Sequence, residues 1–146
     1  MSDQYNLNRF VNAQDKTHPT IQYSYYQISC NEIERGKKYE HWIWYIFPQY
    51  KGLGMSSISV FYAIKSKEEA LSYLGHPLLG KRLIEMSEML VSREESMLQI
   101  FGRDEKKVMS CMTLFEAIQS EIKVFNLVLE HCFDGKRCKR TLNYLR

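Results

Sequence analysis

The amino-acid sequence predicts an all-α fold, a compact multihelical single domain over residues 1–146. Apolar residues recur at helical spacing along most of the chain, as Leu83, Met86 and Leu90 do on one predicted helix face. No stretch of useful length alternates apolar and polar residues as a half-buried strand does. A chain of 146 residues has the usual size of one domain and can bury a core without metal or disulfide support.

The first helix is predicted over residues 4–14. Its apolar face includes Leu7 and Phe10 at the spacing of one helical turn. Ser2 or Asp3 precedes this face, and either side chain has an oxygen that caps the first free N–H groups of a helix.

Later helices are delimited by prolines, glycines and capping residues. Pro19 fits the first turn of a second helix that Gly36 is placed to end. Ser66 and Glu69 have the spacing of a capping box, and Gly75 closes the short helix that they begin. Continued to the C-terminus, this interpretation gives about seven or eight helices, several of them short.

The composition is typical of a cytoplasmic protein. The net charge is only +3 and the basic residues are spread along the chain, so we do not expect nucleic acid as a partner. No apolar run approaches the roughly 20 residues of a membrane span, and the N-terminus lacks the pattern of a secretion signal, so no membrane is expected. The sequence does not indicate an oligomeric state.

The cysteines and the sequence motifs predict neither a metal nor a cofactor. Cys30, Cys111, Cys132 and Cys138 show no C-x-x-C spacing and lie in apolar helical patterns, as buried reduced thiols do. His131 with Cys132 and Cys138 matches no common zinc spacing. The motifs of P-loop, dinucleotide-binding and zinc-protease sites are absent from the sequence.

The candidate site is centred on residues 36–57, which contain both tryptophans of the protein. Residues 39–47 fit a short helix or a buried strand, because so short an apolar run has no diagnostic period. Pro48 ends this element. Gly52 and Gly54 follow in a loop whose backbone can adopt positive φ and approach a ligand closely.

Four side chains of this segment have a functional and a structural interpretation. His41 is the candidate catalytic residue because a histidine titrates near neutral pH, or it is a structural histidine bonded to a backbone carbonyl. Trp42 and Trp44 stack a ligand or fill the core. Lys38 binds a phosphate group or is a solvated helix end.

Polar residues elsewhere complete the predicted pocket. Ser110 and Thr113 place two hydroxyls on one helix face, although such groups commonly bond back to the preceding turn. Gln49 and Ser56 flank the glycine loop. An aromatic wall, hydroxyls and positive charge together predict ligand binding of a phosphorylated small molecule.

A set of motifs covers nearly the whole chain. It comprises Leu7-x-Arg9-Phe10-x-x-Ala13-Gln14, Glu32-x-x-x-Gly36-x-Lys38, His41-Trp42-x-Trp44-x-Ile46-Phe47-Pro48-Gln49, Gly52-Leu53-Gly54-x-Ser56, Tyr73-Leu74-x-His76-Pro77-x-Leu79-Gly80-x-Arg82-Leu83, Ile100-Phe101-Gly102, Lys107 and Ser110-x-Met112-Thr113-Leu114-Phe115. On these motifs the chain resembles the domain of unknown function family 1810, whose bacterial and lower-eukaryotic members often carry the automated label "calpastatin". The resemblance implies a multihelical single domain and brings no established activity.

The sequence departs from the family pattern at three places. Glu40 occupies the position of a small hydroxyl residue before His-Trp, Cys111 replaces the second residue of a Ser-Ser pair, and His18-Pro19 lies in an insertion. If the hydroxyl replaced by Glu40 were catalytic, this member would be impaired. We reject the calpastatin label, because a calpain inhibitor is a disordered chain and this sequence is too rich in patterned apolar residues.

Two functions remain open from the sequence. The first is a domain that binds or processes a nucleotide-derived, ADP-ribose-like or other phosphorylated ligand. The second is a non-catalytic interaction module, whose aromatic residues form core and an exposed patch for a partner. No bond that would be broken is indicated, so the sequence does not decide whether the domain is an enzyme.

Overall fold

The computed structural model describes residues 3–146, which form ten α-helices and one 3-10 turn. The helices are α1 (Asn8–Asp15), α2 (Tyr25–Glu34), α3 (Ile43–Ile46), α4 (Ser57–Tyr62), α5 (Lys67–Gly75), α6 (Leu79–Val91), α7 (Met97–Phe101), α8 (Glu105–Ile118), α9 (Lys123–Cys132) and α10 (Lys139–Tyr144), with the 3-10 turn at Gly102–Asp104. Residues 3–146 contain no β-strand, only two isolated bridges. The all-α prediction is confirmed, and the helices outnumber the expected seven or eight because four are short pieces of four to six residues.

Asp3, one of the two predicted capping residues, holds the start of the chain. Its carboxylate accepts the backbone N–H groups of Asn8 at 2.8 Å and Leu7 at 2.7 Å, and these bonds hold the pKa of Asp3 below its ordinary value. Ser2 lies outside the described residues. Helix α1 begins later than predicted because Asn6 adopts a left-handed conformation (φ 54°) that a continuing helix does not tolerate.

The prediction that the second helix begins at Pro19 is wrong, since α2 begins at Tyr25. Ser24 and Gln27 form a capping box there, in which each side chain accepts the backbone N–H of the other residue at 3.1 Å. This box fixes the helix start more firmly than a proline in the first turn. Gly36 follows the end of α2 with φ 81°, as predicted.

The core is built around α9, which packs against both α6 and α8. Helix α6 buries Leu83, Met86 and Leu90, as its predicted apolar stripe requires. Phe115 of α8 and Phe125 of α9 meet with their ring centroids 5.8 Å apart. These three helices form the support on which the candidate site is assembled.

The aromatic segment resolves to a helix. Within residues 39–47, Ile43–Ile46 form the single turn α3, which packs against α1 and α4. The backbone N–H of Phe47 completes the turn by donating to the carbonyl of Ile43 at 2.9 Å. Pro48 follows and prevents further helix, because it has no N–H to donate.

The buried side chain of Arg9, on α1, bonds to the end of α4 and to the segment that follows it, near the candidate site. Its guanidinium pairs with Glu69 at 2.6 Å and donates to the carbonyls of Phe61 and Ala63, each at 2.9 Å. A buried pair is supported when its remaining donors are also satisfied, and here they hold the end of α4 in place.

Helix length is a simple constraint on membrane insertion. The longest helix of the described chain, α8, has 14 residues, whereas a membrane span needs about 20. No helix within residues 3–146 is long and apolar enough to cross a membrane. The cytoplasmic location stays a prediction.

Candidate functional site

A cavity of about 520 Å³ lies between α3, α4, α8 and the start of α10. It is lined by Trp44 and by residues from the segments 49–54, 59–65, 103–110 and 138–140, with Asp104 and Glu105 of the third segment outside the lining. The volume lies within the roughly 300–1,000 Å³ range of small-molecule sites. Because separate segments form its walls, the cavity exists only in the folded chain.

Six basic residues line this cavity, which we call the basic cavity. They are Lys51, Lys65, Arg103, Lys106, Lys107 and Arg140. Among the described residues, no aspartate or glutamate lines it. Like charges gathered in one concave site repel one another, and an anion bound among them removes that repulsion. The cavity therefore has the electrostatic character of an anion-binding site.

Most of these basic side chains have no carboxylate partner. Within residues 3–146, Lys107 is the one member of the six that forms an ion pair, with Asp104 at 3.0 Å. The side chains of Lys51, Arg103 and Lys106 form neither an ion pair nor a hydrogen bond with any residue in that range. Their donors are available to a ligand.

Lys65 is the cavity cation whose acidity is perturbed. Burial, and then the nearby Arg9 guanidinium, lower the pKa of Lys65, while Glu69 opposes them. Its ammonium group donates to the carbonyl of Ala63 at 3.2 Å. An anionic ligand near Lys65 would favour its charged form and so oppose this lowering of its pKa.

The glycine loop of the cavity is fixed by α10. Gly52 has φ 94°, and a Cβ on it would lie 2.9 Å from the ring of Tyr144. Its carbonyl accepts bonds from Arg140 at 3.0 Å and from the Tyr144 hydroxyl at 3.3 Å. A Cβ on Gly54 would lie 2.6 Å from the hydroxyl of Ser59. Both positions require glycine at this approach of backbone to side chain.

A short backbone pairing holds the other end of the same loop. The N–H of Lys51 donates to the carbonyl of Ile64 at 2.9 Å, and the N–H of Ile64 donates to the carbonyl of Gln49 at 2.8 Å. These bonds join the loop to the segment that follows α4. The glycine loop and the segment after α4, which form two walls of the cavity, are therefore fixed relative to each other.

Aromatic and apolar side chains supply part of the cavity surface. Trp44 and Tyr62 are half-buried and line it together with Val60 and Met109. Burial raises the pKa of Tyr62, so its phenol stays protonated at neutral pH and remains a hydrogen-bond donor. The cavity thus combines positive charge with aromatic faces.

Five of the predicted site residues line the basic cavity. They are Trp44, Gln49, Gly52, Gly54 and Ser110. Ser110 lines the cavity, and its hydroxyl donates to the carbonyl of Lys106 at 2.9 Å, which is the local bond of its structural interpretation. The ligand-binding roles of these five residues stay predictions.

Lys38 and Trp42 lie elsewhere, in a group that we call the Glu32 cluster (Glu32, Lys38, Trp42 and Asp104). Trp42 is fully buried, and its Nε1 donates to Glu32 Oε1 at 2.8 Å. The ammonium group of Lys38 lies 3.2 Å from Asp104 Oδ2, donates to the carbonyl of Glu40 at 2.6 Å and sits 5.1 Å from the Trp42 ring. These side chains have protein partners and do not line the basic cavity.

His41, the candidate catalytic residue, is also outside the basic cavity. It is exposed and lines a smaller depression of about 230 Å³. Glu40 lines the same depression and lies 3.0 Å from Nε2 of His18. Tyr62 contributes to both concave sites. A proton transfer by His41 would therefore act on a molecule in the second depression.

Ser56 and Thr113 have structural bonds of their own. The Ser56 hydroxyl caps α4 by accepting the backbone N–H of Ser59 at 3.3 Å. Thr113 is fully buried, donates to the carbonyl of Met109 at 2.8 Å and accepts the N–H of Cys138 at 3.0 Å. Neither residue lines the basic cavity, and Thr113 supports its wall through Cys138.

Sequence reasoning missed all six basic residues of the cavity, and it missed Cys138. One signal was present: Arg103, Lys106 and Lys107 have the spacing of one helical turn. Lys51 adjoins the glycine loop, but nothing local relates it to Arg140, which lies near the end of the chain. Only the fold brings these charges together.

Residues 4–145 match the family model described as "Protein of unknown function (DUF1810)". The chain belongs to the DUF1810 family. The resemblance seen in its motifs is therefore confirmed. No curated protein matches this DUF1810 chain.

A solved structure supports the same fold for DUF1810. The crystal structure of the conserved hypothetical protein Rv1873 from Mycobacterium tuberculosis is similar to this chain with a TM-score of 0.88 and 38% sequence identity, over 98% of each chain. Neither description gives an activity. The function of this DUF1810 protein has to be argued from its cavity.

Proposed function

We propose that this DUF1810 protein binds a small phosphorylated molecule in the basic cavity, with a nucleotide-derived molecule of the ADP-ribose type as the preferred ligand. The observation that supports the proposal most directly is the group of six basic side chains with no lining carboxylate among the described residues. A phosphate group is the common biological anion that such a site would select.

Phosphate binding would fall first to Lys51, Arg103 and Lys106. These side chains have no partner within residues 3–146 and would give up no existing bond on contacting a ligand. Arg103 can bind two phosphate oxygens at once through its planar guanidinium, whereas the lysines act as point charges. A ligand with two phosphates would engage more of the six cations than a monophosphate.

The remainder of the ligand would contact the aromatic part of the cavity. Trp44 and Tyr62 offer ring faces on which a base can stack, with about 1–3 kcal/mol expected per stacked base. The Gln49 amide, also in the lining, can donate to and accept from a base edge or a ribose hydroxyl. This division into charged and aromatic parts favours a nucleotide over a simple sugar phosphate.

The proposal covers binding and names no reaction. Among the described residues, the lining of the basic cavity includes no histidine and no carboxylate that could serve as a general base. His41 lies in the other depression. The arrangement therefore supports recognition of a phosphorylated ligand more directly than acid–base catalysis.

Thermal denaturation with a graded set of ligands tests the proposal. We expect stabilisation to decrease in the order ADP-ribose, AMP, ribose 5-phosphate and inorganic phosphate, with adenosine giving least because it has no charge. A ligand present at 100 times its Kd stabilises a protein by about 2.7 kcal/mol, which is readily measured. Calorimetric titration of the same ligands would give the affinities.

A pair of variants separates the cavity from general surface charge. Lys106→Gln removes a cavity cation, whereas Lys123→Gln removes an exposed lysine outside the cavity. We expect Lys106→Gln to weaken ADP-ribose binding about fivefold to tenfold and Lys123→Gln to leave it unchanged. Equal affinity of both variants, or a flat response of the wild type to every phosphorylated ligand, would reject the proposal.

An interaction module is the second candidate, and exposed apolar residues around α4 favour it. Helix α4 has no buried residue, Met55 before it is 96% exposed, and Phe61 on it is 51% exposed. Such side chains are typical of a surface that receives a partner. Phe61→Ser should abolish capture of a partner without changing ADP-ribose binding if this alternative holds.

A further inference from the structure

Cys138 lies in the wall of the basic cavity and is half-buried. It is held there by its backbone, because its N–H donates to the Thr113 hydroxyl at 3.0 Å. Ser110, another lining residue, lies near the Cys138 thiol. The thiol is therefore fixed in position and open to the contents of the cavity.

Thr141, in the first turn of α10, has a buried hydroxyl without a hydrogen-bond partner among the described residues. The residue is fully buried, and its Oγ1 has no hydrogen-bond partner within residues 3–146. This hydroxyl lies beside the Cys138 sulfur. A thiolate accepts hydrogen bonds far better than a thiol, so ionisation of Cys138 would give the Thr141 hydroxyl the acceptor that it lacks.

The four cysteines of the chain differ in acidity for physical reasons. Burial raises the pKa values of Cys30, Cys111 and Cys132. Burial acts on Cys138 in the same direction, but the ionised sulfur can accept hydrogen bonds from the nearby Ser110 and Thr141 hydroxyls and from the backbone N–H groups of residues 140 and 141, and this lowers the pKa of the Cys138 thiol.

We propose that Cys138 is a reactive thiol that undergoes thiol–disulfide exchange with anionic low-molecular-weight disulfides entering the basic cavity. The Cys138 thiolate attacks one sulfur of the disulfide, and a new bond from Cys138 Sγ to that sulfur forms as the original S–S bond breaks. The other half leaves as a thiolate and takes a proton from solvent. Cys138 is oxidised, and the departing half of the disulfide is reduced.

The charge of the cavity selects the sign of the co-reactant. A disulfide that carries carboxylates or phosphates is attracted by the six basic residues of the lining, whereas a cationic disulfide is repelled by them. Steering of this kind raises the local concentration of one reagent and not of the other. The inference concerns the thiol and does not require that a phosphorylated ligand binds.

Two disulfides of opposite charge test the proposal on the full chain. The protein is incubated near neutral pH with glutathione disulfide or with cystamine, and the modification of each cysteine is followed by mass spectrometry of its peptides. We expect Cys138 to react with glutathione disulfide about tenfold faster than Cys132 does. For Cys138 in the folded protein, we also expect the rate with glutathione disulfide divided by the rate with cystamine to exceed the same ratio for a free peptide of residues 134–142. Cys138→Ser should remove the fast reaction with glutathione disulfide and leave the slower reactions of the other cysteines.

Thr141→Val tests the role of the unpartnered hydroxyl. Valine has nearly the shape of threonine and removes a buried hydroxyl that has no partner, so the variant should fold at least as stably as the wild type. We expect its reaction at neutral pH to slow severalfold and to approach the wild-type rate at high pH, where both thiols are ionised. A Cys138 rate equal to that of Cys132, a charge preference equal to that of the free peptide, or identical pH–rate profiles for Thr141→Val and wild type would overturn the proposal.

Discussion

The Glu32 cluster and the basic cavity each contain a tryptophan and at least one lysine, and they differ in whether those side chains have protein partners. In the Glu32 cluster, Lys38 contacts Asp104 and Trp42 donates to Glu32. In the basic cavity, Trp44 is half-buried and Lys106 has no partner among the described residues. A lysine and a tryptophan thus have protein partners in one region and line an open cavity in the other. Residue type alone does not separate the two cases.

The two tryptophans provide the largest test of this difference. We expect Trp42→Ala to lower the free energy of unfolding by about 4 kcal/mol, because a large, fully buried ring leaves a cavity. Trp44→Ala should cost about 1–2 kcal/mol, since Trp44 is partly solvent-exposed. Chemical denaturation measures both values. Equal losses for the two variants would show that Trp44 is as structural as Trp42.

The Glu32 carboxylate provides the next largest effect. It accepts N–H groups from Tyr39 at 2.9 Å, Glu40 at 3.1 Å and the Trp42 ring at 2.8 Å. Glu32→Ala leaves these donors without an acceptor, so we expect a loss of about 3 kcal/mol in the free energy of unfolding. Glu34→Ala, which changes an exposed residue of the same helix, is the matched control. Equal melting temperatures for Glu32→Ala and Glu34→Ala would contradict the prediction.

Asp104 makes the stability of the Glu32 cluster dependent on pH. Burial opposes ionisation of this carboxyl, but the bonds from Lys107 and Lys38 outweigh it and lower the pKa of Asp104. A depressed folded-state pKa contributes stability that is complete above the unfolded value, near pH 4, and is lost as the pH falls through the folded value.

We therefore expect Asp104→Asn to be less stable than wild type by about 1–2 kcal/mol at neutral pH, with the difference shrinking below about pH 4. Asp134→Asn, at an exposed position without an ion pair among the described residues, is the control. Urea denaturation across an acid pH series measures the effect. A difference that is constant with pH would contradict the assignment.

The basic cavity should give the smallest effect on stability. Neutralising Lys51 or Arg103 with glutamine removes no protein contact, so we expect a change within about 0.5 kcal/mol, in the direction of greater stability because repulsion falls. The same variants should weaken phosphate binding. A large loss of stability would move these residues from the ligand-binding group to the structural one.

The sequence predicts the helical core well because helix periodicity is a local property. The apolar stripe of α6 and the Ser66 cap of α5 were both visible as spacings in the sequence. The reciprocal half of the predicted capping box is absent, because the Glu69 carboxylate accepts the N–H of Lys65 and pairs with Arg9. The start of α2 was misplaced although Ser24 and Gln27 also had a capping-box spacing, because the proline signal at residue 19 was preferred. Local signals can compete, and the structure decides between them.

The candidate site was only partly predictable because its charges come from distant segments. Trp44, Gln49 and the two glycines lie close together in the chain and were found. Arg140 joins them only because α10 returns to the glycine loop, which no spacing reveals. No local spacing marks the charged Arg9 for burial, yet it is buried and bonded to remote residues. Long-range pairing explains both failures.

Two residues at which the sequence was expected to depart from the family pattern meet in the structure. Glu40 pairs with His18 at 3.0 Å. His18 therefore supplies a hydrogen-bonding partner for the Glu40 carboxylate. Glu40 lines the smaller depression, and neither residue lines the basic cavity.

The hydrogen bonds from α10 to the carbonyl of Gly52 have a practical consequence for handling the protein. Arg140 and Tyr144 close the loop from the last turn of the described chain, so a bulky C-terminal fusion would pull on the same residues that shape the cavity. An affinity tag belongs at the other end. A version shortened before residue 139 would lose the buried Leu145 and the packing of α10 on α8 together with the bonds to Gly52, so we expect it to be less stable as well as unable to bind a ligand.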